Sequence, residues 1–175
     1  MAARIRIATT DAELEDVHRL RYTVYAEELG RVQAYANHTE RTIVEPLDRG
    51  ALIYVAYEGE RCVGTVRVNY TATSEVGDYA SLYRMAEVGA DYPRHTSITT
   101  KMIVAADYRN TTLAYRLAVA GYRQMLSDGI QHDFIDVYPI RIPFFQKLGY
   151  RVHAENAYHV EFGHVTVMRL ATRDA

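Results

Sequence analysis

The sequence predicts a mixed α/β fold, a β-sheet with helices packed on its faces, and three stretches carry that prediction. The first is a strand–turn–helix unit over residues 97–129. Thr100, Met102 and Val104 alternate with Ile103 and Ala105, so both strand faces read as apolar, the pattern of an interior strand. A polar turn over 107–112 leads into a helix over 112–128. There Leu113, Leu117, Ala120 and Met125 recur at helical spacing, and Gly129 stands just past the end. The second is a hairpin, 51–57 with 62–70, around Glu58-Gly59-Glu60. The third is an N-terminal helix announced by the capping box of Thr10 and Glu13.

In chain order, residues 4–8 alternate as a first strand, and the helix from Thr10 runs to Leu29, with Gly30 as its stop. Projected at about 100° per residue, Leu14, Val17, Leu20, Val24 and Tyr25 share one side, while Glu15, Asp16, Arg19 and Thr23 share the other. Arg21 falls inside the apolar arc, with Glu28 two turns further along it. A buried unpaired charge costs several kcal/mol, so Arg21 either forms an internal salt bridge, to Glu28 or Asp48, or faces a polar cleft. Residues 31–45 are polar and irregular, a loop or short helix that could lie across a site. In the second hairpin strand Val63, Thr65, Arg67 and Asn69 share a face, opposite Val66, Val68 and Tyr70, which puts Arg67 on a solvated face or in a wet cleft. Residues 71–92 read as loop with one helical turn at 79–85. A short strand over 134–138 follows the central unit. Then come a turn bracketed by Pro139 and Pro143, a short helix over 143–148 ended by Gly149, and strands over 151–154 and 158–170 with a turn or bulge at Gly163.

A chain of 175 residues is sized for one domain, 1–175, with a real core. Its net charge of −2, with basic residues scattered, argues against nucleic acid. Only two of the basic residues, Lys101 and Lys147, are lysine; the arginine bias suits phosphate and carboxylate, or genome composition. The single cysteine, Cys62, excludes an internal disulfide and points to a reducing, cytoplasmic setting. No run is long and apolar enough to span a membrane, and the first ten residues lack the apolar core of a secretion signal. Fifteen tyrosines against four phenylalanines suit half-wet cleft walls as well as core edges. His153, His159 and His164 match no metal-ligand spacing, so no metal is expected. A strand running into a helix leaves unpaired N–H groups that attract anions, phosphate above all. Here Asn110, Thr111 and Thr112 narrow the turn and can cap, and Arg109 adds a fixed charge, although many such units bind nothing.

This element order, with two short motifs, resembles the GNAT superfamily of acyl-coenzyme A-dependent N-acyltransferases. Arg109-Asn110-Thr111-Thr112-Leu113-Ala114 is similar to that superfamily's Arg/Gln-x-x-Gly-x-Gly/Ala turn, with Thr112 where the first Gly is usual. Phe145-Gln146-Lys147-Leu148-Gly149-Tyr150 is similar to its late aromatic-x-x-Leu-Gly-aromatic segment. A narrower likeness, through Arg19-Leu20-Arg21-Tyr22, Val24-Tyr25, Glu27-Glu28-Leu29-Gly30, Pro46-Leu47-Asp48 and Gly64-Thr65-Val66-Arg67, is to the fatty-acyl branch, the N-acyl amino acid and acyl-homoserine lactone synthases. Arg31 stands where lactone synthases usually have Trp, and a strand Glu of theirs is missing near Ile98–Met102; both departures argue against lactone synthesis.

The resemblance implies a mostly antiparallel central sheet with helices on both faces. It implies transfer of an acyl group, medium or long, from acyl-coenzyme A or acyl carrier protein to the amine of an amino acid or peptide by direct attack. The amides from Asn110 to Ala114, through Thr111, Thr112 and Leu113, would grip a pantetheine phosphate with Arg109. An N–H near Ile103, Val104 or Ala105 would receive the oxyanion, and Arg21, Tyr25, Asp48 and Arg67 would shape the amine side. Phe145 occupies the position of the usual Tyr general acid, so Tyr138 and then Asp136 are the expected proton-handling groups. Arg116 and Arg123, on one helix face, would meet a carrier protein or simply solvent. Two further readings stand beside this one: an acetyl-coenzyme A-dependent acetyltransferase for a small amine, and a non-catalytic thioester-binding domain favoured by Phe145 and Thr112.

Overall fold

The computed structural model describes residues 3–173. In order the elements are β1 (Arg4–Ile7), α1 (Asp11–Tyr22), a small ribbon of β2 (Ala36–Asn37) and β3 (Thr42–Ile43), β4 (Leu52–Glu58), β5 (Arg61–Tyr70), α2 (Tyr79–Leu82), β6 (Thr96–Val104), α3 (Leu113–Ser127), β7 (His132–Val137), α4 (Ile142–Lys147), β8 (Arg151–His159) and β9 (Gly163–Ala171). Seven strands form one sheet in the order β1-β4-β5-β6-β7-β9-β8. Every neighbouring pair is antiparallel except β6 with β7.

Strand alternation puts helices on both faces. In β4, Ile53, Val55 and Tyr57 meet Leu14 and Val17 of α1, while Tyr54 and Ala56 belong to the cluster of Leu113, Leu117 and Met125 from α3. In β7, Phe134 packs with Tyr83 and Met85 after α2, while Ile135 and Val137 pack with Ile142, Phe145 and Leu148 around α4. Among the described residues no helix is long and apolar enough to cross a membrane.

Three expectations change. The single helix over 10–29 is an α-helix to Tyr22 followed by a π-turn, Thr23–Glu28, closed by Leu29 N–H to Val24 O (3.1 Å) before Gly30 at φ +60°; the wider turn inserts a residue into the helical register. The separate strands expected at 151–154 and 158–170 are instead β8 and β9. Bulges after Val152 and Ala154, with Asn156 at φ +55°, carry β8 through, and the chain reverses before Gly163 at φ +70°. Arg67 lies neither on a solvated face nor in a wet cleft: its face of β5 is covered, and its side chain is 0% exposed.

Gly64 sets how closely α3 approaches β5. A Cβ there would lie 3.0 Å from Leu117 Cδ1 and 3.3 Å from Ile103 O. Gly64→Val is therefore expected to destabilise the protein by about 1–3 kcal/mol through overpacking, read as a lower urea midpoint at unchanged m-value. Gly121→Ala places its Cβ in ordinary contact, 3.5 Å from Val68 Cγ2, and is expected to be neutral or stabilising on helix propensity.

Candidate functional site

The parallel pairing of β6 with β7 covers only Thr96–His132, Ser97–Asp133 and Ile98–Phe134. Both strands run on beyond it, β6 to Val104 and β7 to Val137, but they no longer pair. A cleft of about 710 Å³ fills the split, reaching from the turn before α3 to Tyr79, Arg31 and Phe162.

The split begins next to a bulge. Thr100 pairs with Arg67 and Ile103 with Thr65, so Lys101 and Met102 together oppose one residue of β5. Lys101 takes φ +53°, a backbone state that costs a non-glycine residue about 1–3 kcal/mol and gathers at functional sites. The bulge turns its ammonium inward to within 2.6 Å of Glu45 Oε1. Glu45 also receives Arg67 Nη1 at 2.7 Å, and the same nitrogen reaches Asp48 Oδ1 at 3.0 Å. Arg21 Nη1 bonds both oxygens of Asp48, at 2.9 and 2.8 Å, and His18 Nε2 lies 3.5 Å away. Burial works against the charge on Asp48, but His18, Arg21 and Arg67 outweigh it and hold the carboxyl well below its ordinary range. Lys101 and Arg67 likewise overcome burial at Glu45 and lower its pKa. Three cations thus share two carboxylates, and Arg21 Nε and Nη2 and Arg67 Nη2 have no hydrogen-bond partner among the described residues.

At one end of the cleft is the turn that opens α3. Thr111 Oγ1 accepts from Leu113 N–H (3.2 Å) and donates to Tyr108 O (2.7 Å), while Thr111 N–H bonds Tyr108 O at 3.3 Å. The amides of Asn110, Thr112 and Ala114 find no acceptor among the described residues, and Arg109, Asn110, Thr111 and Ala114 line the cleft. The Arg109 guanidinium pairs with Glu28, and its Nε reaches Val104 O at 3.3 Å.

At the other end Phe162 organises the aromatic wall. Its ring stacks on His159 at 4.4 Å and lies 5.4 Å from Lys101 Nζ and 5.5 Å from Arg31 Cζ. Tyr25 faces the same two cations, at 5.0 and 5.7 Å, and Arg31 also lies over Tyr138 at 5.2 Å. Tyr138 donates its hydroxyl proton to Phe162 O at 3.2 Å. Asp136 accepts from Tyr83. His159 Nδ1 accepts the Glu161 N–H at 3.1 Å, so the neutral ring carries its proton on Nε2 and donates it to Tyr79 Oη, also 3.1 Å away. Burial keeps that ring neutral by lowering its pKa. The Tyr79 hydroxyl is left with its own proton free, on the cleft wall.

Set against the sequence expectations, Tyr138, Asp136, Ile103, Val104, Arg109, Asn110, Thr111, Ala114 and Tyr25 all line this cleft. The rest do not. Arg21, Asp48 and Arg67 form the buried network behind the cleft wall, with Asp48, not Glu28, as the partner of Arg21. Leu113 is packed in the core, 2% exposed, and its N–H is held by Thr111. Ala105 N–H is taken by Val63 O at 2.9 Å. Backbone alternation then turns the Val104 N–H, and not that of Ile103, toward the split. Thr112 is exposed and offers only its amide. Arg116 donates to Ala3 O at 2.6 Å, leaving Arg123 alone as the exposed member of that pair. Sequence reasoning missed Lys101, Glu45, Tyr79 and Phe162. The one signal for Lys101 was its rarity in so arginine-rich a chain.

A family model described as N-acyl amino acid synthase FeeM matches residues 16–171. No curated protein matches by sequence. Among solved structures, a CoA-dependent acyl-homoserine lactone synthase, BjaI, determined with SAM and isopentyl-CoA, is similar at TM-score 0.77 and 20% identity, over 98% of this chain and 83% of that one. The N-acyl amino acid synthase FeeM from uncultured soil microbes is similar at TM-score 0.74 and 17% identity, over 98% and 92%. An acetyltransferase of the GNAT family from Staphylococcus aureus is similar at TM-score 0.67 and 13% identity, over 98% and 99%. These TM-scores establish the shared fold.

The buried network makes a prediction of its own. Asp48→Asn keeps the shape but leaves Arg21 and Arg67 short of a charge, and is expected to cost about 3–5 kcal/mol. Because the folded-state pKa of Asp48 is depressed, its contribution is complete above the unfolded carboxylate value of about 3.9 and is lost as pH falls through the folded one. Denaturant melts should show a wild-type advantage that is constant from pH 5 to pH 8 and shrinks below about pH 4.

Proposed function

The chain belongs to the N-acyl amino acid synthase FeeM family and is an acyltransferase, and on that premise we propose that it moves a medium or long fatty acyl group from an acyl-coenzyme A or acyl-carrier-protein thioester to the amine of an amino acid or peptide. The carrying observation is the split between β6 and β7, a single cleft with free amides at one end and a charged, aromatic chamber at the other.

In this reading the amides of Asn110, Thr112 and Ala114 hold the phosphate of a pantetheine arm, with Arg109 exchanging Glu28 for it. The arm lies along the split with its thioester carbonyl at the Val104 N–H, the donor that stabilises charge growing on oxygen. The amine nitrogen enters from the Tyr25 side and attacks the carbonyl carbon. As the C–N bond forms, nitrogen sheds a proton to Asp136, and as the C–S bond breaks, sulfur leaves as a thiolate. With a reference pKa of about 8.5 a thiolate requires little acid help; the Tyr79 hydroxyl, whose pKa burial raises, keeps its proton and can donate a hydrogen bond to the departing sulfur. Tyr138 serves as wall, since its proton is engaged by Phe162 O. Ile135, Val137, Phe144, Phe145 and Val165 give the cleft apolar walls beyond the thioester position, which favours a chain longer than acetyl. The carrier-protein partner and a cytoplasmic setting belong to the same proposal.

Product masses after incubation with acetyl through palmitoyl thioesters and a panel of amines should show acylated amine, with chains of about eight carbons or more turned over fastest. Preference for acetyl would replace this reading with the acetyltransferase one, and thioester binding without any product would replace it with the binding-domain one. Asp136→Asn is expected to lower kcat about 100-fold or more, while Tyr138→Phe leaves it nearly unchanged.

A further inference from the structure

Arg21 and Arg67 were the natural candidates to receive an acceptor's carboxylate, but both are spent on Asp48 and Glu45. Lys101 is likewise tied to Glu45, and Arg109 to Glu28. Arg141 lines the cleft but is exposed at its rim. Arg31 differs from all of these. It lines the cleft half-buried, held by the faces of Tyr25, Tyr138 and Phe162; its backbone N–H donates to Tyr25 O at 2.9 Å, but its guanidinium forms no ion pair or hydrogen bond among the described residues. A guanidinium fixed by rings keeps its N–H fork pre-organised while its donors stay unspent, and that fork matches a carboxylate in shape and charge. The carboxylates of the adjacent buried network, Glu45 and Asp48, are already shared among three cations and leave that fork unclaimed.

Asp136 supplies the complement. Two positions before Tyr138, whose ring carries Arg31, it lines the same cleft and accepts from Tyr83 without pairing to any cation among the described residues. Side chains two apart on a strand share a face, about 7 Å apart along it. A zwitterion whose ammonium and carboxylate are joined through one carbon suits such a pair of unpaired opposite charges.

We infer that Arg31 is the specificity-determining residue of the acceptor site, binding the carboxylate of a free α-amino acid whose amino group is turned toward Asp136. The inference rests on the acyl-transfer reading above and narrows it, setting aside peptide side chains and simple amines as acceptors.

Calorimetric titration of the full-length protein with L-leucine, L-phenylalanine and L-tyrosine, and with the carboxamide of each, tests it apart from catalysis. Wild type is expected to bind at least one of the acids about tenfold or more tighter than its amide. Arg31→Gln should abolish that ratio while binding the amide as before, and Arg31→Lys should keep part of it. Matching melting curves confirm that the variants fold. An acid-to-amide ratio unchanged in Arg31→Gln, equal loss for acid and amide, or no binding of any of the three acids overturns the assignment. Acid-selective binding without acylated product in the thioester assay would leave Arg31 assigned and remove the transferase reading. Acylation of an amine with the ratio intact in Arg31→Gln would do the reverse.

Discussion

Lys101 cannot reach Glu45 unless β6 bulges, and on that contact the organisation of the molecule turns. Glu45 and Asp48 flank the short turn Pro46–Asp48, Arg21 reaches them from α1, Arg67 from β5 and Lys101 from β6. Four parts of the chain are thereby fixed against one another by largely buried charges. Removing any one leaves an uncompensated buried ion, a penalty larger than most single contacts contribute. The geometric consequence is the left-handed residue at 101. It adds a residue to β6 opposite β5 and re-aims the strand, and β6 and β7 go separate ways after Ile98 and Phe134.

What could be read in advance follows from which forces are local. The unit around α3 was legible because alternation, turn composition and helical spacing are properties of neighbouring residues, and the amides at its start follow from helix geometry alone. Arg21 was legible as an anomaly within an apolar arc, and its partner Asp48 was one of two proposed. Arg67 was not, because the groups that neutralise it sit in a stretch that reads as irregular loop, and nothing local says that loop folds over the strand. Lys101 was hidden by the pattern itself: a bulge has no signature in a run that alternates well, so the residue looked like an ordinary outward strand position. Tyr79 and Phe162 join the cleft through contacts across the whole fold, His159 with Tyr79 among them. Spacing along the chain carries no trace of such contacts.

The two ends of the cleft differ in how their charges are held. Arg109 and Glu28 are a partly exposed pair, with 42% and 28% of their side chains accessible. Such pairs contribute roughly 0–1 kcal/mol, so the phosphate proposed to bind there would displace Glu28 at small cost. At the chamber end Arg31 lies against aromatic faces, where it keeps favourable electrostatics without giving up its hydrogen-bond donors. The charge at one end is held by an exchangeable ion pair, and that at the other by rings.

The closed end of the split is fastened by the opposite device. Asp133, paired in register with Ser97, is fully buried and accepts from Ser97 Oγ at 2.5 Å and from Tyr150 Oη at the start of β8. No cation among the described residues offsets its burial, which pushes its pKa up to about 6 against the pull of those hydroxyls. The sign is the reverse of Asp48: a carboxyl raised above its unfolded value of about 3.9 favours the fold most when protonated, and that favour declines as pH rises from about 4 to about 6. Asp48 and Glu45, whose folded-state pKa values are lowered, contribute fully toward the upper end of that range and begin to lose their contribution as pH falls to the unfolded carboxylate values of about 4. The propped end of the split therefore weakens in acid while the fastened end strengthens. At neutral pH the molecule keeps its ion network intact and bears an ionised Asp133, held by hydroxyls and by no cation among the described residues, at the point where its two central strands part.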